Sequence, residues 1–335
     1  MRLSAAEKAE IIRIVTTSES GVNRSLEKLG IHKRTFYNWY HKYQKYGEEG
    51  LKPTRKTSQQ WNSIPEDVKD IVIDVASIHT DLSPREIATK IVDESEIFIS
   101  ESSVYRILKA SGLIQIIPHV MISAADEFHT KTNFPNEMWQ TDFTYFKILG
   151  YGWYYLSTVL DDYSRYIIHW ELCETMKRED VERSIDRAIL KAGLSKENPP
   201  KLLSDNGSCY IAKDLEIYLE ENYAIKQIHG APLHPQTQGK IERYHQSMKN
   251  IVKLHNYFCK SELEEALAKW VDYYNTQRYH ESLNNLTPAD VYFGRGEDIL
   301  EQRKIIKEDS MKQRRINYQN NKIICNYDTK SVNLQ

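Results

Sequence analysis

Three carboxylates stand where the local sequence gives no ordinary reason for an acid. Asp142 falls inside Trp139-Gln140-Thr141-Asp142-Phe143-Thr144, a stretch with a strand pattern, and strand interiors disfavour Asp. Asp205 follows the short apolar run Lys201-Leu202-Leu203-Ser204 and opens Asp205-Asn206-Gly207, which reads as a buried strand running into a tight turn. Glu242 sits at the start of a helix predicted from about Lys240, on which Ile241, Tyr244, Met248 and Val252 form one apolar stripe. Glu242, His245, Gln246, Lys249 and Lys253 form the opposite, polar stripe. A lone acid inside a basic stripe is odd for a solvated face. It fits a metal-binding carboxylate whose neighbours hold a polyanion.

The chain has 47 acidic residues, so spacing alone selects nothing. Position does. One acid lies in a strand, one at the end of the next β unit, and one on a helix after a Pro/Gln/Thr/Gly loop at 234–239. Strand ends and loops converge at one edge of an open α/β sheet, where ligands bind. Three converging carboxylates repel one another unless cations neutralise them, and hard oxygen ligands favour Mg²⁺ or Mn²⁺. Two such ions ~3.5–4 Å apart can activate an attacking oxygen and stabilise a leaving one in an in-line phosphoryl displacement. Asp142 is the natural bridge in that scheme, with Asp205 and Glu242 on separate ions.

The elements that must position these acids follow from the patterning. Predicted strands at 138–146, 153–160 and 166–172 are rich in aromatic and β-branched residues and are divided by Gly150, Gly152 and Asp162. A helix at 179–192, a strand at 201–204, a helix at 213–221, a strand at 225–228, the Glu242 helix and an amphipathic helix at 261–277 complete an α/β order. Upstream, Ser4-Ala5-Ala6-Glu7 has the form of a capping box. Two short helices then meet at a turn containing Gly30, the helix-turn-helix signature. On the second of these, Lys33, Arg34, Tyr37, Asn38, His41 and Lys42 face outward and can reach phosphates and base edges. A second unit at 64–114 repeats the theme. Its Ser83-Pro84-Arg85-Glu86 start has an N-cap Ser and a Pro at the first helical position. Its last helix leaves Ser102, Ser103, Tyr105, Arg106 and Lys109 outward.

At 335 residues, 40% hydrophobic and 11% aromatic, the chain can build two or three domains with real cores. No run of 18 apolar residues exists, so no membrane span is expected. Cys173, Cys209, Cys259 and Cys325 form no CxxC pair, which argues against a zinc site and a secreted disulfide scaffold and for a cytosolic protein. The net charge of −2 hides an uneven distribution: residues 1–60 hold twelve Lys/Arg against six Asp/Glu, and residues 301–335 hold eight against four. Asp161 and Asp162 are expected to form a turn, with Asp162 pairing Arg165. Trp139, Trp153 and Trp170 are expected in the core or on the sheet face.

The words WQTDFT around Asp142, DDYSRYIIHW, SDNGSCY around Asp205, HPQTQGKIERYHQSMK around Glu242 and YYNTQRYHESLNNLTPADVY cover residues 138–292 in order. Together they resemble the DDE transposase and retroviral-integrase catalytic core, specifically that of bacterial insertion-sequence transposases. The segments GIHKRTFYNWY and SSVYRILKASGL also look like the helix-turn-helix arms of such transposases. The resemblance implies an α/β RNase H-like catalytic core preceded by two all-α helix-turn-helix domains. It divides the chain into a first helix-turn-helix domain (1–46), a linker (47–63), a second such domain (64–114), a connector (115–136), a catalytic core (137–292) and a basic C-terminal tail (293–335).

Carried over position by position, the resemblance makes Asp142, Asp205 and Glu242 the catalytic and metal-binding triad, served by two Mg²⁺ or Mn²⁺ ions. Lys249, seven residues past Glu242, matches the basic position that family members hold near the DNA end. Lys240, Arg243 and His245 beside Glu242, and Arg106 on the second helix-turn-helix unit, are further expected DNA contacts. Thirty-six residues separate Asp205 from Glu242, one more than the family's usual spacing. That places an extra residue in a loop such as 229–239. The His/Cys zinc domain of retroviral integrases is absent, and helix-turn-helix units stand in its place.

The implied activity is that of a bacterial cytosolic transposase. It binds the terminal inverted repeats of its element, cleaves a DNA strand and joins the freed 3′-hydroxyl to target DNA, as at least a dimer on DNA. Two alternatives stand beside it. One is an RNase H-like nuclease without strand transfer, against which the helix-turn-helix arms argue. The other is a non-catalytic DNA-binding regulator, against which the intact acids argue.

Overall fold

The computed structural model describes residues 3–18, 21–52, 60–114, 132–148, 150–229, 239–253 and 255–332, with backbone alone over 322–332. The 115–131 part of the expected connector, residues 53–59 of the expected linker, the side chain of Cys325 and loop residues 230–238, where an extra residue was expected, lie outside what is described. The chain divides into two compact units, Met1–Ser63 and Ile64–Gln335.

The first unit begins with α1 (Ala5–Thr17), whose Ser4 and Glu7 form the expected capping box. Helix α2 (Val22–Lys28) ends at a turn in which Gly30 takes φ +65°, and α3 (Lys33–Tyr46) follows. That left-handed φ suits glycine because a Cβ would crowd the backbone. Ile12, Val15, Leu26, Phe36 and Leu51 make its buried core. Leu51 belongs to a 3₁₀ turn, Gly47–Leu51, so the first residues of the expected linker are folded. Their apolar member is needed to close a core this small.

The second unit opens with α4 (Glu66–Ile78), α5 (Pro84–Ser95) and α6 (Glu101–Ala110). Ser83 and Glu86 cap α5 as expected. Val72, Ile87, Ile91, Val104 and Leu108 are among the residues these helices bury together. Ser103, expected outward, is buried instead and shares a hydrogen bond with Ser100.

A five-stranded mixed sheet follows, built from β1 (Met138–Ile148), β2 (Gly152–Asp161), β3 (Ile167–Cys173), β4 (Lys201–Ser204) and β5 (Gln227–His229) in the order β3-β2-β1-β4-β5. The first three form an antiparallel meander, and β4 and β5 run parallel to β1 and to each other. Helices α7 (Arg178–Ala192) and α8 (Lys213–Tyr223) cover one face, sharing a core with Trp139, Val159, Ile168 and Leu202. Helices α9 (Gly239–Val252) and α10 (Lys260–Thr276) cover the other, where Ile241, Tyr244, Met248 and Val252 meet Phe146, Leu156 and Leu160. The apolar stripe read along α9 is therefore the face it buries. This is the α/β core of RNase H-like type that the sequence leads one to expect, behind helix-turn-helix units. Trp139 is fully buried, whereas Trp153 is half exposed on the sheet.

A short helix, α11 (Pro288–Tyr292), leads to α12 (Gly296–Val332). The segment expected as a basic tail is thus one long helix, consistent with its lack of Gly and Pro after Gly296. It crosses α5: Arg303 pairs with both carboxylate oxygens of Asp93 at 2.7 Å, the Phe98 amide donates to Ser310 Oγ at 3.0 Å, and Arg314 donates to the Phe98 carbonyl.

Candidate active site

Sheet register brings the first two acids together. Met138, Trp139 and Gln140 of β1 pair with Lys201, Leu202 and Leu203 of β4. Continued by two steps, the same register sets Asp142 beside Asp205. Both acids act electrostatically on Cys209 and Tyr210, just beyond β4. The Cys209 thiol is pushed up to about 11, first by burial and then by the charge of Asp205. Tyr210 is fully buried and rises well above its usual range by desolvation, and its hydroxyl meets Thr141 Oγ1 at 3.3 Å.

The turn after β4 fixes Asp205. The Gly207 amide donates to Asp205 Oδ1 at 2.9 Å, and a Cβ at Gly207 would sit 2.8 Å from that oxygen. A side chain at 207 would oblige the Asp205 carboxylate to shift.

Helix α9, which bears Glu242, packs against the strand that carries Asp142. Its first turn is tied to the sheet by the Ile241 amide, which donates to Gln140 Oε1 at 3.1 Å, and by Lys240, whose ammonium donates to the Asp162 carbonyl and carboxylate at 2.8 Å. One turn beyond Glu242, His245 Nδ1 lies 3.3 Å from Asp142 Oδ2, and its Nε2 lies 3.2 Å from Thr158 Oγ1. Thr158 is the residue of β2 directly opposite Asp142. The imidazole therefore spans from the paired strand to the carboxylate, with its Thr158 contact orienting the ring. Farther along, Lys249 lies 4.9 Å from the centroid of the Tyr145 ring. Its pKa is lowered, by burial first and by Lys253 second, while Asp142 acts the other way.

Glu242 and Asp205 are exposed and Asp142 is half-buried. The register thus runs Asp142 toward Asp205, and Glu242 is on the helix that touches Asp142 through His245. Among the described residues no three His, Cys, Asp or Glu side chains are gathered closely enough to hold a metal ion. Mutual repulsion of three carboxylates opposes such a preformed cage.

The other expected contacts divide sharply. Lys33, Arg34, Tyr37, Asn38 and Lys42 are all exposed on α3. Arg106 is exposed on α6 but leans back onto the Ser102 carbonyl and Ser103 Oγ. Arg243 is exposed beside Glu242. His245 is the correction. It was expected on a DNA-facing surface, yet it is 5% exposed. Three residues from Glu242 keep it on the same side of the helix, but that side leans onto β1 and β2 rather than onto solvent. Lys240 is likewise engaged by Asp162 rather than presented outward. Asp162 therefore takes Lys240 as an ionic partner. It also accepts from Gln140 and Thr132. Asp161 is fully buried and raised by desolvation, and accepts from Ser164 and the Asn136 amide.

Comparison with known proteins agrees with this architecture. Residues 133–235 and 223–288 match integrase core domain families, and residues 2–52 and 35–108 match homeodomain-like domain families. The InsK protein of insertion sequence element IS150 from Escherichia coli strain K12, named as a transposase, is 31% identical over 148 residues, 44% of this chain and 51% of that protein. The Gag-Pro-Pol polyprotein of squirrel monkey retrovirus is 29% identical over 116 residues, 35% of this chain and 6% of the polyprotein. Among solved structures, the simian T-cell lymphotropic virus intasome in complex with the PP2A regulatory subunit B56 gamma aligns with a TM-score of 0.43 and 18% identity, over 65% of this chain and 74% of that one. The chain spans about half the length of its bacterial relative and a small fraction of the retroviral polyprotein. It carries an integrase core domain behind homeodomain-like helix-turn-helix domains.

Proposed function

We propose that the protein is a transposase: a metal-dependent polynucleotidyl transferase that binds the ends of a mobile DNA element, cleaves a strand and joins it to target DNA. The observation that supports this reading is the parallel pairing of β1, which carries Asp142, with β4, which runs into Asp205, with α9 and its Glu242 packed on β1 through His245, within an integrase core domain. Asp142, Asp205 and Glu242 would hold Mg²⁺ or Mn²⁺, two ions per site, because three hard oxygen donors suit those cations. Bound there, the ions would supply activation of the attacking oxygen and stabilisation of the leaving one.

The chain's own residues do the rest. His245, anchored on Thr158, holds the Asp142 carboxylate in one orientation. Gln140 and Lys240 fix the start of α9, so that Glu242 faces the same edge. Lys249, flanked by Tyr145 and half-buried, offers a cation beside Asp142 for a phosphate of the bound strand. Lys33, Arg34, Tyr37, Asn38 and Lys42 on α3, with Arg106 on α6 and Arg243 beside Glu242, contact DNA. Two ends joined to one target need two active sites, so the working assembly on DNA is at least a dimer, acting in the bacterial cytosol.

The test is Glu242→Gln in the full chain, assayed on duplexes built from the inverted repeats that flank the gene. The amide keeps the shape and loses the charge that holds a metal. Cleavage and joining should fall by more than ~100-fold, since even supporting residues of a metal site cost ~10–100-fold when removed. End binding by gel shift should hold. Near-wild-type cleavage in Mg²⁺ would overturn the triad. Hydrolysis by the wild-type protein without any joined product would favour a nuclease.

A further inference from the structure

Among the described residues, no side chain of α12 is buried, and none belongs to the core of the sheet or of α4–α6. The second helix-turn-helix unit gathers its eight buried apolar residues without it. What α12 contributes is a row of polar contacts. Apolar contact is non-directional and tolerates sliding, whereas hydrogen bonds fix both distance and angle. The row therefore sets an orientation more than it adds to a core.

The row centres on Asp93, near the end of α5. Arg303 Nε and Nη2 donate to its two carboxylate oxygens at 2.7 Å, and Tyr279 Oη donates to Oδ2 at 2.9 Å. The remaining arm of the guanidinium, Nη1, donates to the carbonyls of Asn284 and Asn285 at 3.4 and 3.0 Å. Those asparagines hold φ of +55° and +58°, a left-handed backbone that residues other than glycine seldom adopt. Arg85, in the first turn of α5, donates to the side-chain oxygen of Asn285. About three turns farther along α12, Ser310 and Arg314 take the amide and the carbonyl of Phe98, in the segment between α5 and α6. At its other end α12 starts against the core. Tyr292 of α11 stacks on Tyr166 at 4.5 Å, and a Cβ at Gly296 would sit 2.8 Å from Leu286 Cδ1.

Contacts at Arg85, Asp93 and Phe98 pin the start of α5, its end and the approach to α6. They hold α6, whose Tyr105, Arg106 and Lys109 are exposed, in one place relative to the sheet. Successive phosphates of a strand lie about 3.4 Å apart along the duplex axis. Choosing one phosphodiester over its neighbour needs a reading helix and a set of carboxylates held together more closely than that. Hydrogen-bond distances vary by only about 0.5 Å before the bond weakens, so this row is stiff enough for the task.

We propose that Asp93, Arg303 and Tyr279 are positioning residues that lock the second helix-turn-helix unit to the catalytic core, so that α12 acts as a gauge setting how far from the base pairs met by α6 the strand is cut. This inference rests on the transposase reading and adds to it what determines where the cut falls. None of the three residues touches the reacting strand in this scheme. They act through the distance between α6 and the carboxylates.

The experiment maps the cuts made by the full chain, in Mg²⁺, on an end-labelled duplex carrying the inverted repeat that flanks the gene. Wild type, Asp93→Ala, Arg303→Ala and Tyr279→Phe are compared at single-nucleotide resolution, with end binding followed by gel shift. Wild type should give a single principal product. Asp93→Ala and Arg303→Ala should still bind the end but spread their cuts over neighbouring phosphodiesters. Tyr279→Phe, which loses only a hydroxyl, should spread them less. Wild type is also given a duplex with one base pair inserted between the footprint of the second helix-turn-helix unit and the cut. Its cut should move so that the distance from the footprint stays constant. A cut that keeps to its original phosphodiester on the inserted duplex overturns the gauge, and this measurement decides the matter even where a variant is unstable. A single, unmoved product from Asp93→Ala and Arg303→Ala also overturns it, whether the yield is unchanged or reduced, because a merely structural role alters the amount and not the position. Failure of the transposase reading registers separately, as cleavage retained by Glu242→Gln.

Discussion

The two helix-turn-helix units use the same local devices and end in different tertiary situations. Both carry a Ser/Glu capping box, at Ser4 and Glu7 on α1 and at Ser83 and Glu86 on α5. The first buries five apolar residues around Phe36 and belongs to a compact unit of its own. The second, among the described residues, gathers a cluster of eight around Val104 and is built into the same unit as the sheet. Its α5 is held by α12 through Asp93 and Arg303, and Tyr279 adds a hydrogen bond to Asp93 at 2.9 Å. Arg303 also donates to the carbonyls of Asn284 and Asn285, so one guanidinium joins three segments. The same supersecondary motif can therefore be a separable arm or a wall of the catalytic unit. What decides is whether a distant part of the chain returns to cover it.

The comparison breaks most easily at Phe36. It is 1% exposed, and Phe→Ala in a core costs ~3–5 kcal/mol. A unit of this size has little more than that to lose. Phe36→Ala should unfold residues 5–51, seen as loss of hydrogen-exchange protection there, while protection in the sheet persists. Loss of protection in both units together would show that they are not separate.

Arg303→Ala tests the other side. The pair is largely buried, with side-chain exposures of 14% for Arg303 and 26% for Asp93. Removing one partner of such a bidentate pair should cost about 2–3 kcal/mol. The loss should appear as faster exchange in α5 and α6 and as proteolysis near residue 96, with the first unit unaffected. Unchanged protection in α5 would mean that α12 does not hold this domain.

The smallest effect compares the caps directly. Ser4→Ala and Ser83→Ala should each cost about 1 kcal/mol. Because melting shifts scale inversely with the size of the cooperative unit, the first should lower its unit's Tm by ~4–8 °C and the second by ~2–4 °C. Calorimetry of the two variants checks this. Equal shifts in a single shared transition would erase the difference between the units.

Much of this molecule could be read along the chain because the governing interactions are local. Both capping boxes, the Gly30 turn, the strand at Asp142 and the apolar stripe of α9 are set by spacings of three to seven residues, which fix which side chains share a face. The family words around Asp142, Asp205 and Glu242 belong with these, since each lies within one element and its adjoining turn. The course of 296–332 was locally legible too, through the absence of Gly and Pro, although composition alone made it a tail.

Other features depended on contacts between residues far apart in sequence. His245 and Glu242 share a side of α9, but only the fit of that helix onto β1 and β2 turns the histidine toward Asp142 and leaves the glutamate exposed. Lys240 lies 78 residues from Asp162, and no helical spacing announces that ion pair. Arg303 and Asp93 are 210 residues apart. Burial and charge crowding are properties of a shared volume, and that volume exists only once the sheet, α9, α10 and the second helix-turn-helix unit have packed together.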